Sequence, residues 1–239
     1  MAVEDAAPAS RWRRRKAERP AEIIAAALHS FAERGYAATR LDDVARRAGV
    51  TKGTLYLYFP NKAELFKAVV NQAVVPSLER GEALLASADL PAAHLLAELM
   101  RGWADTALSP AGAIPKIMVA EAGNFPDLAR FYREEIVDRG MALFRHVLQI
   151  GIARGEFRAV ADLDNAVRCI VAPLLLSMLW RHSFGRHEAA GRFDPEAVCR
   201  SELCLLLDGL ANAPAAPAQH KTRGPQRANR DRISEKAAS

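Results

Sequence analysis

From Pro20 onward, apolar residues return every three or four positions. Ile23, Ile24, Ala27, Leu28 and Phe31 fall on one face of a helix, and Gly35 supplies the stop. A second, shorter helix turns Leu41, Val44, Ala45 and Ala48 inward and ends at Gly49. Thr39, with Asp42 three residues later, reads as a capping box with aspartate in the acidic place. A third short helix spans about 51–58 and is broken by Pro60-Asn61; Asn61, with Glu64 three residues on, caps a fourth helix that continues past Val75. Beyond Pro91 the helices lengthen to 91–108, 113–123, 127–154, 162–184 and 194–211, with Asp127, Asp162 and Asp194 as N-caps and Gly155 as a stop. No stretch sustains the period-two alternation of a strand, so the pattern predicts an all-α protein.

The apolar pattern also divides the chain. Residues 1–19 form a flexible basic arm, 20–66 a compact module of short helices, 67–212 a larger helical bundle, and 213–239 a disordered basic tail. Charge follows the same division. Residues 1–62 carry a net +5, residues 63–212 a net −4, and the tail a net +4. A basic module on an acidic body points to a polyanion as partner of the first part only. The cysteines, Cys169, Cys199 and Cys204, are odd in number and form no C-x-x-C pair, as expected of reduced thiols in a cytoplasmic protein. The longest apolar run, Cys169 to Trp180, has 12 residues, short of the roughly 20 that a membrane span needs. No signal peptide and no membrane partner are expected.

The chemistry concentrates between Leu41 and Leu65. Two short helices joined at Gly49 have the layout of a helix-turn-helix. In the A-x-x-A-G-V arrangement Ala45 permits close approach of the helices, Gly49 takes a conformation that a Cβ would penalise, and Val50 plugs the gap. The third helix, TKGTLYLYF, then presents small and donor-bearing side chains to a major groove while Leu55 and Phe59 turn inward.

The stretch GYAATRLDDVARRAGVTKGTLYLYFPNKAELF, from Gly35 to Phe66, closely resembles the DNA-binding module of the tetracycline-repressor (TetR) family of bacterial regulators. The pattern G-[FY]-x-x-T, the A-x-x-A-G-V turn, G-x-[LIV]-Y-x-[YH]-F and N-K-x-x-L all occur in order. The likeness covers about Ala21 to Val70, and MVAEAGNFPDLARFYREEI resembles a sub-group of the family. The resemblance implies that Thr51, Lys52, Gly53 and Thr54 face the groove, with Lys52 reading guanine O6 or N7. It implies a backbone or thymine contact for Tyr56, and phosphate contacts for Tyr58, Lys62, Thr39 and Arg40. Asp42 stands where some members carry a basic contact, which shifts that contact to Arg40. The larger domain would hold a small-molecule effector, with Trp103, Met118, Glu121, Asn124, Phe125, Phe144 and Met178 as candidate liners. Ordinary core packing is the competing reading of each. A buried Glu121 would accept a cationic ligand; an ion-paired or solvent-facing Glu121 would not. Homodimerisation is implied along Ile170, Leu174, Met178 and Arg181 of one helix and Val198, Glu202, Leu205 and Leu206 of another. Two recognition helices would then meet grooves about 34 Å apart on a near-palindromic operator.

The expected function is therefore ligand-responsive regulation of transcription, by a repressor or by an activator of the same fold. A nucleoid-type protein binding by charge alone is the alternative that small groove-facing residues and a non-basic body disfavour. The motifs of common enzymes, metal sites and nucleotide cofactors (G-x-S-x-G, H-E-x-x-H, the P-loop and G-x-G-x-x-G) do not occur, so no enzyme and no cofactor is expected. His182 and His187, five apart, miss the same-face spacing of three or four.

Overall fold

A computed structural model describes residues 8–87, 89–188 and 193–211; the expected tail at 213–239 and the first residues of the arm lie outside them. The described residues contain helices and turns and no strand. The first three helices are α1 (Pro8–Arg34), α2 (Leu41–Arg47) and α3 (Lys52–Tyr58), and α4 (Lys62–Ala73) packs across α1. Then follow α5 (Val75–Ser87), α6 (Ala92–Leu108), α7 (Ala113–Glu121), α8 (Pro126–Tyr132), α9 (Arg139–Ala153), α10 (Leu163–Ser183) and α11 (Pro195–Leu210). A wide, π-type turn at Arg133–Asp138 joins α8 to α9, so the single helix expected over 127–154 is interrupted.

Three boundaries depart from expectation for local reasons. Helix α1 begins at Pro8, and Pro20 sits inside it. The arm expected to be flexible is thus largely helical, because its Arg, Lys, Glu and Ala residues favour helix and Pro20 removes only one backbone bond. Helix α4 stops at Ala73 instead of continuing past Val75, since Pro76 has no N–H to donate to the Gln72 carbonyl and its ring crowds that turn. Asp127 does not cap α8: Pro126 takes the first helical position, and Asp127 pairs with Arg130. Asn61, Asp162 and Asp194 do cap, accepting from the backbone N–H groups of Glu64, Asn165 and Glu196 at 2.9–3.0 Å.

One continuous core runs through both halves. In the N-terminal module it contains Ile23, Phe31, Val44, Leu55, Leu65, Phe66 and Val69; in the larger half, Leu95, Leu96, Met100, Ile114, Phe144, Leu148 and Ile170. Helix α10 is long and apolar enough to cross a membrane by length and composition. It lies instead against α6, α7, α9 and α11 of the same chain.

Candidate nucleic-acid interface and effector cavity

Helices α2 and α3 meet at Gly49, whose φ of +65° is the left-handed conformation that favours glycine. The Val50 N–H then donates to Ala45 O at 3.0 Å, locking the turn. Thr51 caps α3: its Oγ1 accepts from Thr54 N at 3.1 Å and contacts Thr54 Oγ1 at 2.9 Å. Both threonine hydroxyls therefore shape the start of the helix as well as its outer surface. Lys52 and Gly53 are exposed beside them. The Lys52 ammonium lies 2.9 Å from Asp42 Oδ1, and that carboxylate raises the lysine pKa. Asp42 thus holds the charge of the recognition helix at the surface. Arg40, the residue before α2, is exposed and makes no ion pair among the described residues.

Two expected phosphate contacts take structural positions instead. Thr39 is 2% exposed, and its hydroxyl donates to Gly35 O at 2.6 Å, with Ser30 O at 3.2 Å. It neither caps α2, whose N-cap is Arg40, nor faces a ligand, because the backbone of the α1–α2 turn claims its hydroxyl. Lys62 directs its ammonium at three carbonyls, Tyr36 O and Ala37 O at 2.9 Å and Thr39 O at 3.2 Å. Desolvation lowers its pKa, opposed by the nearby Glu121 carboxylate. Lys62 thereby organises the α1–α2 turn from inside.

The two tyrosines of α3 differ in exposure. Leu55 and Phe59 point inward, and Tyr58, three residues from Leu55, packs partly against the same core. Tyr56 is 43% exposed and Leu57 is 74% exposed. Leu57 is the surface residue of the recognition helix that sequence reasoning missed. The helical phase fixed by Leu55 and Phe59 was the signal that places it outside.

The junction between the halves is aromatic at its centre. Phe125, at the start of α8, meets Tyr36 edge to face with centroids 4.7 Å apart, and Tyr36 stacks on Phe31 and meets Phe66 edge to face. Beside it, Glu121 Oε1 accepts from Ala37 N at 3.0 Å, while Oε2 faces Asn124 Nδ2 at 3.4 Å. Glu121, Asn124 and Phe125 are not among the residues that line the cavity of the larger half. They form the corner on which the α1–α2 turn rests. The turn has a peptide N–H to satisfy there, and Glu121 at the end of α7 is within its reach.

A cavity of about 540 Å³ lies within the larger half. Trp103, Met118, Phe144 and Met178 line it, with Leu78, Leu99, Ile136 and Leu143 adding to its apolar wall. Gly81 lets α5 approach closely, since a Cβ there would stand 2.9 Å from Leu143 Cδ1. The polar side chains on its wall are Ser77, Thr106 and Tyr132, with Arg80, Glu98, Arg101, Asp105 and Arg133. Val74, the C-cap of α4, also faces it.

The stripe expected at a dimer seam faces the chain's own core on α10. Ile170, Leu174 and Met178 are buried within the chain at 2–4% exposure, so they cannot meet a partner. The outward side of α10 carries Leu176 and Trp180, and α11 adds Leu205 at 73% exposure. Because α10 is apolar all round, its pattern alone carries no phase. Arg181 is exposed, whereas Val198 and Leu206 are half-buried. Glu202 is buried, and neither carboxylate oxygen has a hydrogen-bond partner. Burial pushes its pKa up to about 7 and that of the neighbouring Cys199 to about 11.

Comparison with known proteins accounts for both halves. Residues 23–69 match the family model described as bacterial regulatory proteins, tetR family, and residues 92–193 match a tetracyclin repressor-like C-terminal domain. The transcriptional repressor KstR2 of Mycolicibacterium smegmatis is 27% identical over 198 residues, 82% of this chain and 93% of that protein. The solved ketosteroid transcriptional regulator KstR2 of Mycobacterium tuberculosis is 26% identical, with a TM-score of 0.66 over 82% of this chain and 96% of its own. The regulator FadR of Bacillus subtilis in complex with stearoyl-CoA shares the fold, with 23% identity and a TM-score of 0.63 over 80% and 98%. The chain belongs to the tetR family of bacterial regulatory proteins and is a DNA-binding regulator of transcription.

Proposed function

We propose that the protein is a homodimeric repressor that leaves a near-palindromic operator when an apolar small molecule fills the cavity. The observation that carries this reading is that two helices each reach from the cavity to the reading head. Helix α4 begins with Lys62 on the carbonyls of the α1–α2 turn and ends at Val74 in the cavity wall. Helix α7 places Met118 in the cavity and Glu121, less than one turn later, on the Ala37 N–H. A ligand that moves either wall displaces the turn carrying Arg40, and with it the spacing of two recognition helices. The repressor names of the KstR2 relatives support this direction of control, and the fold neighbour in complex with stearoyl-CoA supports a bulky apolar effector.

In this reading Lys52 reads base edges with Thr51, Gly53 and Thr54. Tyr56 and Leu57 offer apolar contact to thymine methyls, and Arg40 takes a phosphate. The partner copy covers Leu176, Trp180 and Leu205, an exposed apolar face of the kind that marks protein interfaces. Operator binding places the protein in the cytoplasm. The test is selection of bound duplexes from a random pool, followed by a compound screen for release of the selected site. A near-palindromic consensus released by at least one compound is expected. Binding that depends steeply on salt but shows no sequence preference would overturn the reading in favour of charge-driven DNA coating.

A further inference from the structure

We propose that the effector is an amphipathic anion, an apolar body bearing one carboxylate-type head group, and that Arg80 takes the head. The inference rests on the cavity being the effector site. Three arginines border that cavity, and two are already neutralised. Arg101 is paired with Glu98 and has Asp105 beside it. Arg133 lies 2.9 Å from Glu134 and 2.6 Å from Asp138. Arg80 has no carboxylate partner among the described residues; its Nη2 donates to Ser77 Oγ at 3.1 Å.

The hydroxyls behind Arg80 fix what the site can accept. Thr106 Oγ1 donates to Gly102 O at 2.8 Å. Its proton is thus committed, and Ser77 Oγ, which accepts from Arg80, stands 3.5 Å from it. Arg80, Ser77 and Thr106 thus line up toward the Gly102 carbonyl, with the Thr106 proton spent on that carbonyl. The N–H groups still on offer along this seam belong to the Arg80 guanidinium, so the complementary head is an acceptor. Against an unneutralised guanidinium an anionic acceptor forms the stronger, charge-assisted bond. Most of the remaining wall, including Trp103, Met118 and Phe144, is apolar, and its other charged residues, Glu98, Asp105, Arg101 and Arg133, include the two arginines already paired. The 540 Å³ volume lies within the range of about 300–1,000 Å³ that holds drug-sized ligands.

Calorimetric titration of the full-length protein with decanoate, 1-decanol and decyltrimethylammonium isolates the head group on a constant chain. Decanoate is expected to bind at least about tenfold more tightly than decanol. Arg80→Met should bring decanoate down to the level of the alcohol, leaving decanol within about twofold of wild type, and Arg80→Lys should restore most of the difference. Unchanged decanol binding also shows that the variant cavity is intact. The proposal is overturned by equal binding of acid and alcohol, by preference for the ammonium (the result expected if Asp105 were the head-group residue), or by an Arg80→Met variant that keeps the decanoate preference. Binding of none of the three overturns it too. The effector reading of the cavity then stands or falls separately, on whether any compound in the wider screen releases the selected operator.

Discussion

The reading head and the cavity domain are built from the same kind of helix, yet they use their surfaces in opposite ways. In the head, α3 is short, its inward side is closed by Leu55 and Phe59, and what remains outside is small, polar or isolated: Lys52, Gly53, Tyr56 and Leu57. In the larger half, α10 is apolar on every side, and its helices enclose an apolar space that they do not fill. A protein that needed only a stable core would close that space, since each unfilled volume costs stability. The contrast assigns external recognition to the head and internal recognition to the bundle. The α1–α2 turn, pinned by Lys62 from one side and Glu121 from the other, is where the two meet.

Breaking the dimer should produce the largest effect. Leu205→Asp puts a charge on an exposed apolar residue of α11, and charges in the core of an interface are strongly unfavourable. The expected result is a monomer by sedimentation, with operator affinity lower by about a hundredfold or more. Should the variant remain dimeric, the interface lies on another face.

Next in size are the charges of the head, where the structure separates two lysines that the motif treats alike. Lys52→Ala should cost about 1–3 kcal/mol of discrimination at the base it reads. Arg40→Ala should weaken all sequences and reduce the salt slope by about one unit. Lys62→Ala should weaken binding with the salt slope unchanged, because its ammonium is spent on carbonyls inside the protein. A slope that falls equally in the Arg40 and Lys62 variants, measured by titration across salt concentrations, would return Lys62 to the phosphate role that its motif position suggests.

Within the bundle, Glu202 makes stability depend on pH in the direction opposite to an ion-paired carboxylate. Its ordinary value of 4.5 is raised by burial to about 7 in the folded chain. The fold therefore favours the protonated form. That contribution is fully present below pH 4.5 and is lost as the pH rises through about 7. Glu202→Gln should accordingly raise stability at pH 8 by up to about 3 kcal/mol and have little effect at pH 5. Denaturant unfolding at the two pH values measures this, and equal effects at both would place the carboxylate in contact with water or a cation.

How far the sequence could be read depended on how strongly each segment's chemistry fixed its phase. The helix-turn-helix was legible because Gly49, Ala45, Val50, Leu55 and Phe59 each have one physically tolerable place. The long helices were legible as helices, and so were the caps at Asn61, Asp162 and Asp194. Their facing was less so. Ile170, Leu174 and Met178 mark a genuine stripe of α10, but an equally apolar stripe lies beside it, and only the packed neighbours decide which is inside. Glu121, Asn124 and Phe125 stood next to true cavity residues in sequence. Their role at the junction depended on a partner, Ala37, 84 positions away. Thr39 and Lys62 fit their motif in residue type, while their bonding depended on carbonyls that no pattern of side chains reveals.

The coupling of cavity to head is tested most directly by the Glu121→Gln variant, through the factor by which a releasing compound weakens affinity for the selected operator. Glutamine keeps the acceptor oxygen for the Ala37 N–H but removes the charge facing Lys62. The account predicts compound binding within about twofold of wild type and a release factor reduced about tenfold, in keeping with the usual 1–3 kcal/mol of coupling between sites. A variant that binds the compound and releases the operator as wild type does would contradict transmission through this corner.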